Sequence, residues 1–274
     1  MPAYARPTDL VDALALRAAG YRVLAGGTDL YPAAGATLAG DILDISALAD
    51  LCGISLNGSL RIGAATSWTA IAEATLPPAL IALQQAARVV GGRQIQNAGT
   101  IGGNLCNASP AADGIPPLLV LDAEVELAST TGTRRVPLQT YLKGPRRVDL
   151  QAAELLTAIH IPAAALHGKS AFAKLGARSH LVISIAMVAV RLVVTVAGRI
   201  TEAHVAVGAC SATAQRLPLV AAALHGALLT EAASLIQPEH LAALTPIDDI
   251  RATAAYRRDA ALELLRRAVS EVAG

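Results

Sequence analysis

The stretch "GTIGGNLCNASPAADG" occupies residues 99–114, and "LAGGTDL" at residues 24–30 has a matching core. Each sets paired glycines after an apolar stretch and follows them with a small polar residue. Glycine has no Cβ, so it reaches φ > 0 and lets the backbone approach a ligand closely. Successive backbone N–H groups turned toward one point form an anion-binding concavity. Thr28 and Asn104 add side-chain donors without adding negative charge. Asp29 suits a turn cap, a ribose or a backbone donor. One glycine pair is ordinary in a strand-to-helix turn. Two pairs of matching form suit a diphosphate held from opposite sides. A third pair, Gly91–Gly92, is followed by Arg93 rather than by Thr or Asn, lacks that pattern and reads as a helix stop.

The chain of 274 residues is long enough for one large or two ordinary domains. A net charge of +1 with 16% charged residues gives no basic surface for nucleic acid and no acidic disordered tail. Hydrophobic residues make up 54%, which points to apolar surface buried against a partner as well as to alanine bias. Cys52, Cys106 and Cys210 are far apart, so local spacing encodes no zinc or iron–sulfur site. His160, His167, His180, His204, His225 and His240 show no ligand spacing, so no metal is expected. The apolar run 181–197 carries Arg191 midway, which argues against a membrane span. With no secretory signal in the opening residues, a cytoplasmic protein is expected. The chain has no G-x-G-x-x-G after its first strand, no P-loop, no G-x-S-x-G and no H-E-x-x-H.

Around the two glycine motifs the pattern is mixed. Residues 8–20 repeat apolar positions at helical spacing and stop at Gly20. Strands follow at 21–24 and 41–46, giving a βαβ-like first unit. Residues 59–68 read as strand and 77–90 as a helix with proline at its start. Residues 91–114 read as a long functional loop. Strands and turns are expected over 118–129 and 134–142, then a strand at 154–162. A linker at 164–170 leads to a hairpin around Ala197–Gly198–Arg199, a helix at 215–226 and a final helix at 248–272 capped by aspartates.

"LAGGTDL", "NAGTIGGNLCNASPAADGIPPLLVLDAEVEL", "ELLTAIHIP", "AFAKLGARSHLVISIAM" and "DDIRATAAYRRDAALELLRRAV" follow one another in a familiar order. Over nearly its whole length the chain resembles the FAD-binding medium subunit of molybdenum hydroxylases. These are relatives of xanthine dehydrogenase and of the aerobic carbon monoxide dehydrogenase flavoprotein. The resemblance implies an α+β fold. A two-lobed FAD domain of the vanillyl-alcohol-oxidase (PCMH) type would occupy residues 1–163, with lobes at 1–52 and 53–163. A carbon monoxide dehydrogenase flavoprotein-like C-terminal α/β domain would occupy 168–274. It also implies partners: a large molybdopterin subunit that oxidises the substrate and a small subunit with two [2Fe–2S] clusters, assembled as a dimer of heterotrimers. The medium subunit would take electrons onto FAD and pass them to NAD⁺, oxygen or another acceptor. It would contribute no catalytic residue of its own.

Carried over by motif, Leu24, Ala25, Gly26, Gly27, Thr28, Asp29 and Leu30 form the first FAD loop. Thr100, Ile101, Gly102, Gly103 and Asn104 form the second. Asp113 would accept from ribityl or ribose hydroxyls, with Ser109 and Ala112 along the cofactor. Val90, Leu156 and Lys174 would lie near the flavin. Each has a plainer alternative: Lys174 and Arg178 as a solvated face, Asp113 as a turn residue. Tyr256 and Arg257 read as helix packing and surface charge, and Cys106 as a small buried residue. Asp29 stands where covalent flavoproteins offer histidine, so non-covalent FAD is expected. Residues 31–46 lack the Lys or Arg expected at the adenine end. A stand-alone flavin alcohol oxidase or dehydrogenase is the alternative function; one Phe and one Trp make a poor substrate domain for it. A scaffold that has lost FAD is a second alternative, disfavoured by two intact glycine motifs.

Overall fold

The structure is a computed structural model and describes residues 2–35, 38–179 and 181–273. The histidine at 180 therefore lies outside the described residues. In the N-terminal lobe, β1 (Tyr4–Ala5), β2 (Arg22–Leu24) and β3 (Ile42–Asp44) form a parallel sheet in the order β1-β3-β2. Helix α1 (Leu10–Ala18) crosses from β1 to β2. Asp9 starts it by accepting the N–H groups of Val11 and Asp12. Its Ala13 and Leu14 bury against Leu43 and Ile45. A short helix, α2 (Leu30–Ala33), follows β2, so residues 25–29 form the strand-to-helix turn.

The second lobe opens with the hairpin β4 (Ile54–Asn57) and β5 (Ser59–Gly63). Helices α3 (Trp68–Glu73), α4 (Ile81–Val89), α5 (Arg93–Ala98), α6 (Ile101–Asn107) and α7 (Ile115–Val120) follow. Then come β6 (Glu124–Ser129), β7 (Gly132–Pro137), a small helix α8 (Leu138–Tyr141), the two-stranded β8 (Leu142–Gly144) and β9 (Arg147–Val148), and β10 (Leu155–Ile161). The large sheet is antiparallel, ordered β4-β5-β10-β6-β7. One face buries Leu60, Ile62, Val125, Leu127 and Ile159 against Ile71, Leu83, Ile101, Leu105 and Leu118 of the helices. The other carries polar groups, with His160 Nε2 2.8 Å from Glu126 Oε2.

Two expectations fail here. Residues 91–114 are not a long loop: α5 and α6 occupy most of them. Residues 118–120 are helix rather than strand. Glycine costs about 1 kcal/mol in a helix relative to alanine, yet α6 holds two. Its capping and close packing outweigh that penalty. In α7, Pro116 and Pro117 sit in the first turn, where their missing N–H groups are not needed. The reading of Gly91 as a helix stop agrees with the structure: α4 ends at Val89 and Gly91 has φ +57°.

In the C-terminal part, β11 (Lys169–Leu175), β12 (Ala186–Val194), β13 (Ile200–Gly208) and β14 (Gln215–Arg216) form an antiparallel meander. The expected linker already contains the start of β11, while Gly198 at φ +77° makes the expected hairpin turn. Both faces of this sheet are buried. Phe172, Met187, Ala189 and Ala206 join the core of the second lobe, while Ala171, Val188, Val190, Val205 and Val207 face a separate core. That second core includes α9 (Pro218–Leu224) and α10 (Ala254–Ala273). Burial on two sides explains the unbroken apolar run of β12. Arg191 within it donates from Nε to Val120 O at 2.9 Å and pairs with Asp122 at 3.6 Å. Helix α10 begins later than expected. Asp249 accepts instead from the N–H groups of Arg251 and Ala252 in the preceding turn. Asp248 and Thr253 take the N–H groups of Ala254 and Tyr256. Among the described residues no helix is long and apolar enough to cross a membrane.

Candidate functional site

A cavity of about 960 Å³ opens between the two N-terminal lobes. Its wall brings together residues from both glycine motifs: Ala25 to Leu30 from the first, and Thr100, Gly102, Gly103 and Asn104 from the second. Val90, Ser109, Ala112 and Leu156 also line it. The two motifs touch. A Cβ added at Gly26 would stand 1.8 Å from Ala98 O and 3.0 Å from Gly99 Cα. Only glycine lets the first turn lie that close to the end of α5.

The first turn keeps its donors unspent. Among the described residues, no protein acceptor takes the backbone N–H groups of Gly26, Gly27, Thr28 or Asp29. Gly27 has φ +69°, and a Cβ there would meet the Tyr31 ring at 2.3 Å. A run of free N–H groups around a left-handed residue is a nest with net positive potential. Asp29 is the N-cap residue of α2 but makes no side-chain cap bond. Its Oδ1 instead accepts from Asn107 Nδ2 at 3.1 Å.

The second motif is built the opposite way. Ile101 N donates to Thr66 O at 3.0 Å and Gly102 N to Ala64 O at 2.8 Å. Gly103 N donates to the Thr100 hydroxyl at 3.0 Å, capping α6. A Cβ at Gly102 would lie 2.6 Å from Ala64 O. These N–H groups are committed to protein, so α6 offers the cavity a close-packed wall rather than a nest. Asn104 Oδ1 on that wall is buried with no hydrogen-bond partner among the described residues. An orphaned acceptor of this kind carries a desolvation cost that a donor would relieve.

Four expected residues do not line the cavity. Leu24 and Ile101 are buried in protein cores beneath the two turns. Asp113 and Lys174 pair with each other: Lys174 Nζ lies 2.6 Å from Asp113 Oδ2, and Ser184 Oγ donates to Asp113 Oδ1 at 2.5 Å. Burial pushes the Asp113 carboxyl up, against the pull of Lys174 and Ser184. The pair ties the turn before α7 to β11. Asp113 is therefore not a bare acceptor on the wall, and Lys174 is not on a solvated face. Two other readings need correction. Cys106 faces the cavity, with Sγ 3.5 Å from the Tyr141 hydroxyl. Arg257 is buried, donating to Ile185 O and pairing with Asp249 at 2.6 Å.

Sequence reasoning missed the cations of the site. Arg17, Arg22 and Arg146 line the cavity and supply the positive charge absent from residues 31–46. They come from the end of α1, the start of β2 and the β8–β9 turn. No local motif groups them. Residues 181–183 cover one side, and Leu181 and Ile183 are more than half exposed there.

Residues 1–164 match the family model described as the FAD binding domain in molybdopterin dehydrogenase. The chain belongs to this family. Residues 170–272 match the carbon monoxide dehydrogenase flavoprotein C-terminal domain. The chain is 40% identical over 174 residues to the xanthine dehydrogenase FAD-binding subunit of Escherichia coli O157:H7. That match covers 58% of the chain and 57% of the relative, so the chain spans just over half the length of this curated relative. It is 32% identical to the carbon monoxide dehydrogenase medium chain of Afipia carboxidovorans, covering 97% of the chain and 94% of that protein. A solved carbon monoxide dehydrogenase from Oligotropha carboxidovorans superposes with a TM-score of 0.87 at 30% identity, covering 99% of this chain and 97% of the other. The fold is thus the expected α+β one: a two-lobed FAD-binding domain with a C-terminal domain of the flavoprotein type. The cavity of this molybdopterin dehydrogenase FAD-binding chain has the parts a dinucleotide needs: a nest, a glycine cradle, an orphaned acceptor and convergent arginines. Among the described residues no cluster of His, Cys, Asp or Glu suits a metal ion.

Proposed function

We propose that this chain is the FAD-carrying electron-transfer subunit of a molybdenum hydroxylase complex. Its partners in this reading are a large molybdopterin subunit and a small [2Fe–2S] subunit, and the terminal acceptor is NAD⁺, oxygen or another oxidant. The observation that carries the reading is the run of unspent N–H groups at Gly26 to Asp29 on the wall of a 960 Å³ cavity. A diphosphate is the anion that fits the nest, and a dinucleotide fills the space beyond it.

Bound FAD would supply the redox chemistry, carrying electrons between the partner's clusters and the acceptor. The chain's own residues hold and orient it. Gly26, Gly27, Thr28 and Asp29 offer backbone donors to the diphosphate, and Ala25 and Leu30 flank them. Thr100, Gly102, Gly103 and Asn104 form the facing wall. Val90, Ser109, Ala112 and Leu156 line the remainder. Asp113 and Lys174 act by holding α7 and β11 in place. Among the described residues no histidine lines the cavity, and the cysteine that does, Cys106, has its Sγ 3.5 Å from the Tyr141 hydroxyl; in this reading the cofactor is held without a covalent bond. The medium-subunit names of its relatives support the place in a complex.

The test is an absorption spectrum of the purified chain, before and after acid precipitation. The expected result is an oxidised-flavin spectrum whose chromophore is released by acid and identified as FAD. Co-purification with the two partner subunits is expected from cells that express all three. A colourless chain that takes up no added FAD overturns the reading.

A further inference from the structure

Arg146 is an unusual residue in an unusual place. It sits in the turn between β8 and β9 with φ +56°, a left-handed backbone that disfavours a long side chain. Glycine or asparagine would adopt it with less strain. The turn is held there by its own N–H, which donates to Ala108 O at 3.0 Å. Ala108, the C-cap of α6, is also left-handed at φ +44°. Two strained residues thus meet at the cavity edge, and strain of this kind gathers at ligand sites.

The side chain is tethered but not neutralised. Arg146 Nη1 donates to Asn107 Oδ1 at 2.9 Å, and Asn107 Nδ2 donates to Asp29 Oδ1 at 3.1 Å. Arg146 lines the cavity and is exposed, and no carboxylate among the described residues pairs with its guanidinium. Among the described residues its Nε and Nη2 donors meet no protein acceptor. The relay ends at Asp29, the last residue of the nest. Arg17, by contrast, spends Nε and Nη1 on the carbonyls of Glu154 and Tyr21. A nest of neutral amides solvates an anion but cannot cancel its charge. A guanidinium fork fits phosphate oxygens in shape and charge.

We infer that Arg146 is a further cofactor-binding residue, whose guanidinium pairs with the diphosphate of the dinucleotide across from the Gly26–Asp29 nest. Asn107 is the positioning residue that aims it. The inference rests on the FAD reading above and adds one named contact to it. It places the phosphate charge on the side of the cavity where the β8–β9 turn stands.

The experiment compares wild-type protein, Arg146→Asn and Arg146→Lys after removal of flavin. Asparagine suits the left-handed backbone, so this variant removes the charge without breaking the turn. Each protein is titrated with FAD and with riboflavin by flavin fluorescence, and ADP is used as a competitor. Circular dichroism and thermal melts of the flavin-free forms check the fold. The expected result is that Arg146→Asn weakens FAD and ADP alike by about 10- to 100-fold. Riboflavin binding is expected to stay unchanged, and Arg146→Lys to fall between. Unchanged FAD affinity in Arg146→Asn overturns the inference. So does an equal loss for FAD and riboflavin, which would make the residue a support for the flavin end. Wild-type protein that binds no FAD sinks the underlying reading instead, and the two failures are thereby told apart.

Discussion

The two glycine turns look alike in sequence and differ in what they do with their hydrogen bonds. At Gly26 to Asp29 the backbone donors meet no protein acceptor among the described residues. At Ile101 to Gly103 they are tied to Thr66, Ala64 and Thr100. In the first turn the glycines let the chain lie against the end of α5 and the Tyr31 ring while its N–H groups face the cavity; in the second they let a helix press against the neighbouring strand end. The same dipeptide thus packs closely in both places and leaves its N–H groups to a ligand in the first alone. What distinguishes them is the supply of acceptors nearby. The second turn lies against the carbonyls of residues 64–66, while the first faces the cavity.

That contrast gives a graded set of expected outcomes. The largest effect belongs to Gly27→Ala. Its Cβ would strain a left-handed residue and strike Tyr31, so FAD affinity is expected to fall about 100-fold. The melting temperature of the flavin-free protein should move little, because few protein bonds depend on the turn. Gly102→Ala should do the reverse, costing the flavin-free protein about 1–3 kcal/mol in denaturant unfolding. Equal effects of both variants on both measurements would erase the distinction. Next comes Thr100→Ala, which removes the cap of α6. A loss of about 1 kcal/mol in stability is expected, with FAD affinity reduced by no more than that stability change. The smallest effect is read by thiol labelling followed by peptide mapping. Cys106 stands on the α6 wall, so bound FAD should slow its reaction with iodoacetamide while leaving exposed Cys52 unchanged. Cys210 should stay silent in both forms, since burial pushes its thiol up to about 11.

Much of this site was legible because its parts are local. Gly26, Gly27, Thr28 and Asp29 form one uninterrupted motif, as do Thr100 and Gly102 to Asn104, and a motif survives without knowledge of the fold. The arginines were not legible. Arg17, Arg22 and Arg146 meet only after α1, β2 and the β8–β9 turn are folded together. The roles of Asp113 and Lys174 were hidden for the same reason: their ion pair joins residues 61 positions apart. In the fold, strands with alternating or continuous apolar pattern were readable, as in β10 and β12. Helices α5 and α6 were not: α5 is six residues long and flanked by Gly92 and Gly99, and in α6 the propensity of two glycines argued against a helix that its contacts with Thr66 and Ala64 hold in place.

The meander β11 to β14 divides its side chains between two cores. One set completes the interior of the flavin-binding lobe; the other belongs to α9 and α10. The boundary between two family models near residue 165 is therefore not a boundary in packing. Cutting the chain there would leave α4 and α7 with an uncovered greasy flank where Phe172, Met187 and Ala206 now sit. The two modules thus share one continuous interior, and the C-terminal module serves as the cover on the other's core.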